Sequence, residues 1–124
     1  MNMNNIYCVC TTPDIYGSYK NYWENFPIND PTASEKQICW EYDKLEKSDI
    51  ISFWFSKGSL NPIVLYELGR WGNSSNKKII IGIDKEYERK QDVCIQTRLS
   101  RPDVSITMNL ENFIKEVYGI CVNE

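Results

Sequence analysis

Between residues 49 and 84 the chain reads DIISFWFSKGSLNPIVLYELGRWGNSSNKKIIIGID, two short apolar runs on either side of one amphipathic segment. Few folds accommodate that arrangement. Ile50, Ile51, Phe53, Trp54 and Phe55 are almost continuously apolar over a strand's length, as in a strand covered on both faces. Gly58 and Ser59 break the run. Asn61 is positioned to cap a helix, and Pro62 suits its first turn, where a missing N–H costs nothing. Ile63, Val64, Leu65, Leu68 and Trp71 follow at helical spacing, and Gly72 with Asn73 ends the helix. Lys77 and Lys78 lead into a second strand, IIIGI, closed by Asp84. Two buried strands joined by a helix make a parallel βαβ unit, and open α/β sheets bind ligands at the carboxyl ends of their strands.

The flanking sequence extends the same pattern. Residues 6–12, IYCVCTT, read as a first strand, residues 15–22 as a loop or short helix, and residues 23–29, WENFPIN, as an edge strand at best because of Pro27. Thr32 or Ser34 opens a helix through Lys47, with Ile38, Tyr42 and Leu45 along one face and Trp40 and Glu41 beside it. A charged loop, DKEYERKQD, precedes a short helix over 92–99 and a strand over 104–108. Asn109 caps a last helix whose expected buried face is Leu110, Phe113, Ile114, Val117 and Tyr118, with Gly119 at its stop. With right-handed crossovers this order gives an α/β domain over residues 1–124, a doubly wound, flavodoxin-like parallel sheet between two helical layers.

Composition narrows the chemistry. Fourteen basic and 17 acidic residues give a net charge of −3, with no basic run longer than Lys77–Lys78, so a nucleic-acid partner is not expected. The chain has no histidine, which removes Ser–His and Cys–His catalysis and argues against a zinc site. No metal or cofactor is expected, since neither GxGxxG nor GxxxxGK occurs. The five cysteines are scattered without a CxxC pair, as free thiols in a reducing compartment are. No apolar run approaches a membrane span, and the expectation is a cytoplasmic protein.

Acid–base work must therefore rest on carboxylates, Tyr, Cys or Lys. Glu67 is the only charged residue between Gly58 and Gly69. It has two readings: a residue on a solvated helix face, or a carboxylate held in an apolar cleft near the strand ends, where a nucleophile or general acid is prepared. Glu41, beside Trp40, has the same two readings. Four segments reach the carboxyl edge of such a sheet: the turn after Thr12, the region of Asn29 and Asp30, the loop after Phe55 and the loop after Asp84. In the last of these, Tyr87 and Arg89 are candidates to clamp a ribose or phosphate. Trp54, Tyr66 and Trp71 could stack on a base or belong to the core, and Asp49 reads as a helix-to-strand turn residue.

The segments QICWEYDKLEKSDIISFWF, NPIVLYELGRWG and KKIIIGIDKEYERKQDVCIQTRL together resemble the nucleoside 2-deoxyribosyltransferase-like family, over roughly residues 28–118. The ELG-containing helix is the most specific piece. The resemblance implies a three-layer, doubly wound parallel sheet of five strands that cleaves the N-glycosidic bond of 2′-deoxynucleosides or their monophosphates. It assigns the nucleophile to Glu67 and recognition or protonation of the base to Asp49, with Glu41 the other candidate partner. It also implies self-association, since family members often complete their sites across subunits. Asn61 stands where the deoxyribosyltransferases proper carry an aspartate six residues before the nucleophile, and residues 28–31 match only loosely the Asn-Pro-Arg pattern after the second strand. The opening strand lacks the small Gly-rich turn of the glycosidase branch. Retaining chemistry through a glycosyl ester follows, with either a base or water as acceptor. A non-catalytic module binding a nucleotide derivative or a protein is the alternative, motivated by Asn61 and the tyrosine-rich surface.

Overall fold

The computed structural model describes residues 6–9 and 32–122. Four strands, β1 (Ile6–Val9), β2 (Ile50–Phe55), β3 (Lys78–Ile83) and β4 (Ile106–Thr107), form one parallel sheet in that spatial order. Helices α1 (Ala33–Lys47), α2 (Pro62–Trp71), α3 (Lys90–Ser100) and α4 (Leu110–Val122) complete the described elements. The register runs Ile6 beside Ile50, Ile50 beside Lys78, and Ile81 beside Ile106. The expected strand over 23–29, the loop over 15–22, the end of the first strand and Asn29 all lie outside the described residues. No helix among the described residues is long and apolar enough to cross a membrane.

β2 and β3 are apolar on both faces because helices cover both. Ile51, Phe53, Phe55, Ile79, Ile81 and Ile83 pack with Leu45 of α1, Val64 and Trp71 of α2, and Val93 of α3. Ile50, Trp54 and Ile80 meet Phe113 of α4 on the other face, with Leu110, Val117 and Ile120 around it. This is the doubly wound, three-layer α/β arrangement of flavodoxin-like folds.

Three local readings are corrected. The final helix runs through Gly119 to Val122, and it exposes Ile114 and Tyr118 while burying Phe113. A helix laid on a sheet turns one row of side chains towards it, so the apolar residues beside Phe113 stay at the surface. β4 is two residues long, because residues 101–104 turn on a Val104 N–H to Arg101 carbonyl bond before the ladder begins. In α1 the inward row is Gln37, Glu41 and Leu45, whereas Ile38 is 63% and Tyr42 42% exposed.

Candidate functional site

α1 enters β2 and α2 leaves it, so both helices run antiparallel to the sheet and lie side by side on one face. Near the amino edge they are braced by aromatic and guanidinium contacts. The Tyr42 and Trp71 rings meet edge to face at 5.5 Å. Arg70 lies over both rings and its Nη2 donates to the Tyr42 hydroxyl at 2.5 Å. Such packing fixes how the next turn of each helix, towards the carboxyl edge, faces the other.

Glu67 lies one turn above Trp71 towards the carboxyl edge, and Glu41 adjoins Tyr42. Glu67 is half-buried beside Val64, and Glu41 is half-buried between Gln37 and Leu45. Loss of hydration, and then the charge of Glu41, push the Glu67 carboxyl up to about 7. Burial also raises Glu41, opposed by the Gln37 amide, whose Nε2 donates to Glu41 Oε2 at 3.0 Å. The charge of Glu41 thus favours the protonated form of Glu67, while burial acts on both carboxyls in the same direction. Gln37 is only 3% exposed, and its Oε1 accepts no hydrogen bond among the described residues. The sequence reading missed Gln37. Its signal was a polar row, Gln37 and Glu41 four apart and in line with buried Leu45, set against the more apolar row that exposure rules out.

Among the described residues, Asp49, Trp54, Asn61, Tyr87 and Arg89 are each engaged or placed elsewhere. Asp49 is exposed at the amino edge, before β2, and its carbonyl accepts the Lys78 N–H at 2.9 Å. Trp54 as a base-stacking ring is corrected: alternation along β2 turns it to the opposite face, 3% exposed and 5.4 Å from the Phe113 ring. Asn61 precedes α2 with φ 52° and no side-chain cap, so its expected capping role is also corrected. It is instead fully buried, and its Nδ2 donates to the carbonyls of Ser56 at 3.0 Å and Ser59 at 3.3 Å. Tyr87 is buried too, its hydroxyl donating to the Leu60 carbonyl at 2.6 Å, which holds the loop after β2 rather than offering a free phenol. Arg89 is exposed and pairs with Asp92 at 3.3 Å. Tyr66 is 72% exposed, one residue from Glu67.

A cavity of about 320 Å³ opens on the other flank of α2, towards α3, lined among others by Leu65, Leu68, Ile81, Val93 and Arg101. Its cation is already engaged, since Arg101 Nη1 donates to the carbonyls of Gly72 and Ser74 at 2.9 and 3.0 Å. Size alone does not make that cavity a reaction site; the carboxyl pushed up to about 7, Glu67, faces the charge of Glu41 on α1 instead. Residues 14–87, more than half of the 124-residue chain, match the family model described as nucleoside 2-deoxyribosyltransferase like. No curated protein matches the chain.

Proposed function

We propose that this chain, which belongs to the nucleoside 2-deoxyribosyltransferase-like family, cleaves or transfers the N-glycosidic bond of a nucleoside or nucleotide with Glu67 as its nucleophile. Family membership supports glycosyl transfer in general. The observation that carries the finer reading is the half-buried Glu67, whose carboxyl is raised to about 7 by burial and by Glu41. In the reacting state Glu67 is ionised and attacks the anomeric carbon. The carbon–nitrogen bond breaks, its electron pair leaves with the base, and a proton on the base nitrogen completes the departure. That proton comes from water; Glu41, rather than Asp49, is the carboxylate that tunes Glu67, because its charge raises Glu67 whereas Asp49 stands at the amino edge of the sheet. Attack by a second base or by water on the glycosyl ester then frees the Glu67 carboxylate.

The test is base release, followed by chromatography, from nucleosides, 2′-deoxynucleosides and their monophosphates, with and without an acceptor base. Glu67→Gln and Glu67→Ala are expected to lose at least about 10³-fold in turnover while keeping the wild-type circular dichroism spectrum. Retained turnover in either variant removes Glu67 from the chemistry. One observation favours the alternative of a binding module: Asn61, at the family's aspartate position, is engaged with its own loop. Tight nucleotide binding by calorimetry, without product over hours, would select it.

A further inference from the structure

Gln37 carries one end of its amide on Glu41 and leaves the other end without a donor among the described residues. The two ends of a planar amide cannot be oriented separately, so the Nε2 bond to Glu41 also fixes where Oε1 looks. Reversing the amide would set its oxygen against the Glu41 carboxylate, which the charge of Glu41 opposes. Oε1 is thus a preset acceptor on the residue that holds Glu41, in a side chain only 3% exposed. A buried amide oxygen left unpaired is costly, and such groups are rare in folded proteins. The two described residues of its own row cannot relieve it: Glu41 in its charged form only accepts, and the Leu45 side chain has nothing to donate.

We propose that Gln37 is a specificity-determining residue of the Glu41–Glu67 site, with Oε1 accepting a hydrogen bond from a neutral O–H or N–H donor of the bound nucleoside, while Nε2 holds the Glu41 carboxylate in place. The inference rests on the functional reading above for the identity of the ligand, but it is a statement about binding. A site with a fixed acceptor rejects an analogue that lacks the matching donor far more strongly than a greasy pocket rejects a missing methylene. Two ligand groups offer the required chemistry, a sugar hydroxyl and an exocyclic amine of the base. A chain that reads one of them through Gln37 discriminates among nucleosides at that group alone.

The test is isothermal titration calorimetry on the full chain and on Gln37→Met, which keeps side-chain length and removes both polar ends. The probes are adenosine, 2′-deoxyadenosine, 3′-deoxyadenosine and the 6-unsubstituted purine riboside. Wild type is expected to bind the probe with the matching donor about tenfold or more tightly than the probe without it, and Gln37→Met to lose that preference. Loss of preference at the 2′ or 3′ position assigns a sugar hydroxyl, and loss at the 6 position assigns the base amine. Equal weakening of all four probes, an unchanged preference, or no binding of any probe by the wild-type chain overturns the proposal. Thermal melting separates recognition from a structural role: Gln37→Met is expected to melt close to wild type, since removal of an unmet buried acceptor offsets the lost bond to Glu41. A lower melting temperature with no change in preference makes Gln37 merely structural. Gln37→Leu, tested the same way, covers a folding failure of the methionine variant. Binding is read independently of turnover, so inactive Glu67 variants leave this result intact, and a lost preference stands even where no base is released.

Discussion

Glu67 draws its raised pKa first from lost hydration and second from the charge of Glu41, and the two causes make different predictions. A nucleophile must be ionised, so the fraction of competent enzyme grows as pH rises through the carboxyl's pKa. The acidic limb of kcat/KM is therefore expected near pH 7, the value of the Glu67 carboxyl, and not near the ordinary 4.5. Glu41→Gln removes the electrostatic contribution and leaves the burial. Its limb should move to lower pH but stay above the ordinary carboxylate range, because burial is the larger cause. A pH profile measured from 5 to 9 on both forms checks this; a limb at the same pH in both would separate the two carboxyls. Glu67 itself was legible in the sequence as one charge in an apolar helix, but its coupling to Glu41 was not. That coupling depends on the rotation of α1 about its own axis, and the apolar residues Ile38 and Tyr42 point to a rotation other than the one observed.

Elements show the same division between what local pattern fixes and what contacts decide. β2 and β3 could be read because strands covered on both faces leave unbroken apolar runs, and α2 because Pro62 and Gly72 bound it. The loop after β2 could not. Asn61 looks like a helix cap, yet its left-handed backbone turns the amide inward, onto the carbonyls of Ser56 and Ser59. Tyr87, which reads as a surface ligand clamp in a charged loop, is the other brace of that segment through the Leu60 carbonyl. These bonds tie together residues up to 27 apart, beyond any periodicity. They also forbid a tempting substitution. Asn61→Asp would restore the aspartate of the deoxyribosyltransferases at this position, but a carboxylate cannot donate to two carbonyls and would be buried facing them. It is expected to cost about 2–4 kcal/mol in urea denaturation and to reduce, not raise, activity. A stable and more active variant would show that the loop can release Asn61 to the ligand.

At the scale of the whole molecule, the sheet separates chemistry from support. The acidic pair lies on the face covered by α1, α2 and α3, whereas α4 closes the other face through Phe113. Gly82 is what lets α4 approach: a Cβ built there would meet Phe113 Cδ1 at 2.5 Å and Trp54 Cε3 at 2.6 Å. Both rings are buried, and they pack on each other at 5.4 Å, so neither can swing aside cheaply. Gly82→Ala should accordingly destabilise the fold by about 2–3 kcal/mol, the range of overpacked cores, seen as a lower urea midpoint with little change in slope. The intervening sheet consists of parallel strands with continuous ladders from β1 to β4, and the displaced rings lie beneath it with respect to Glu67. Strain introduced at Gly82 therefore has to cross the sheet before it reaches the gap between α1 and α2. Well below its melting temperature the variant is expected to keep kcat/KM within about twofold of wild type, because one methyl group alters how tightly α4 docks and not how Glu41 faces Glu67. A large loss of kcat/KM in a variant still fully folded at the assay temperature would mean that the α4 face belongs to the site, and the division of labour between the two faces would fail.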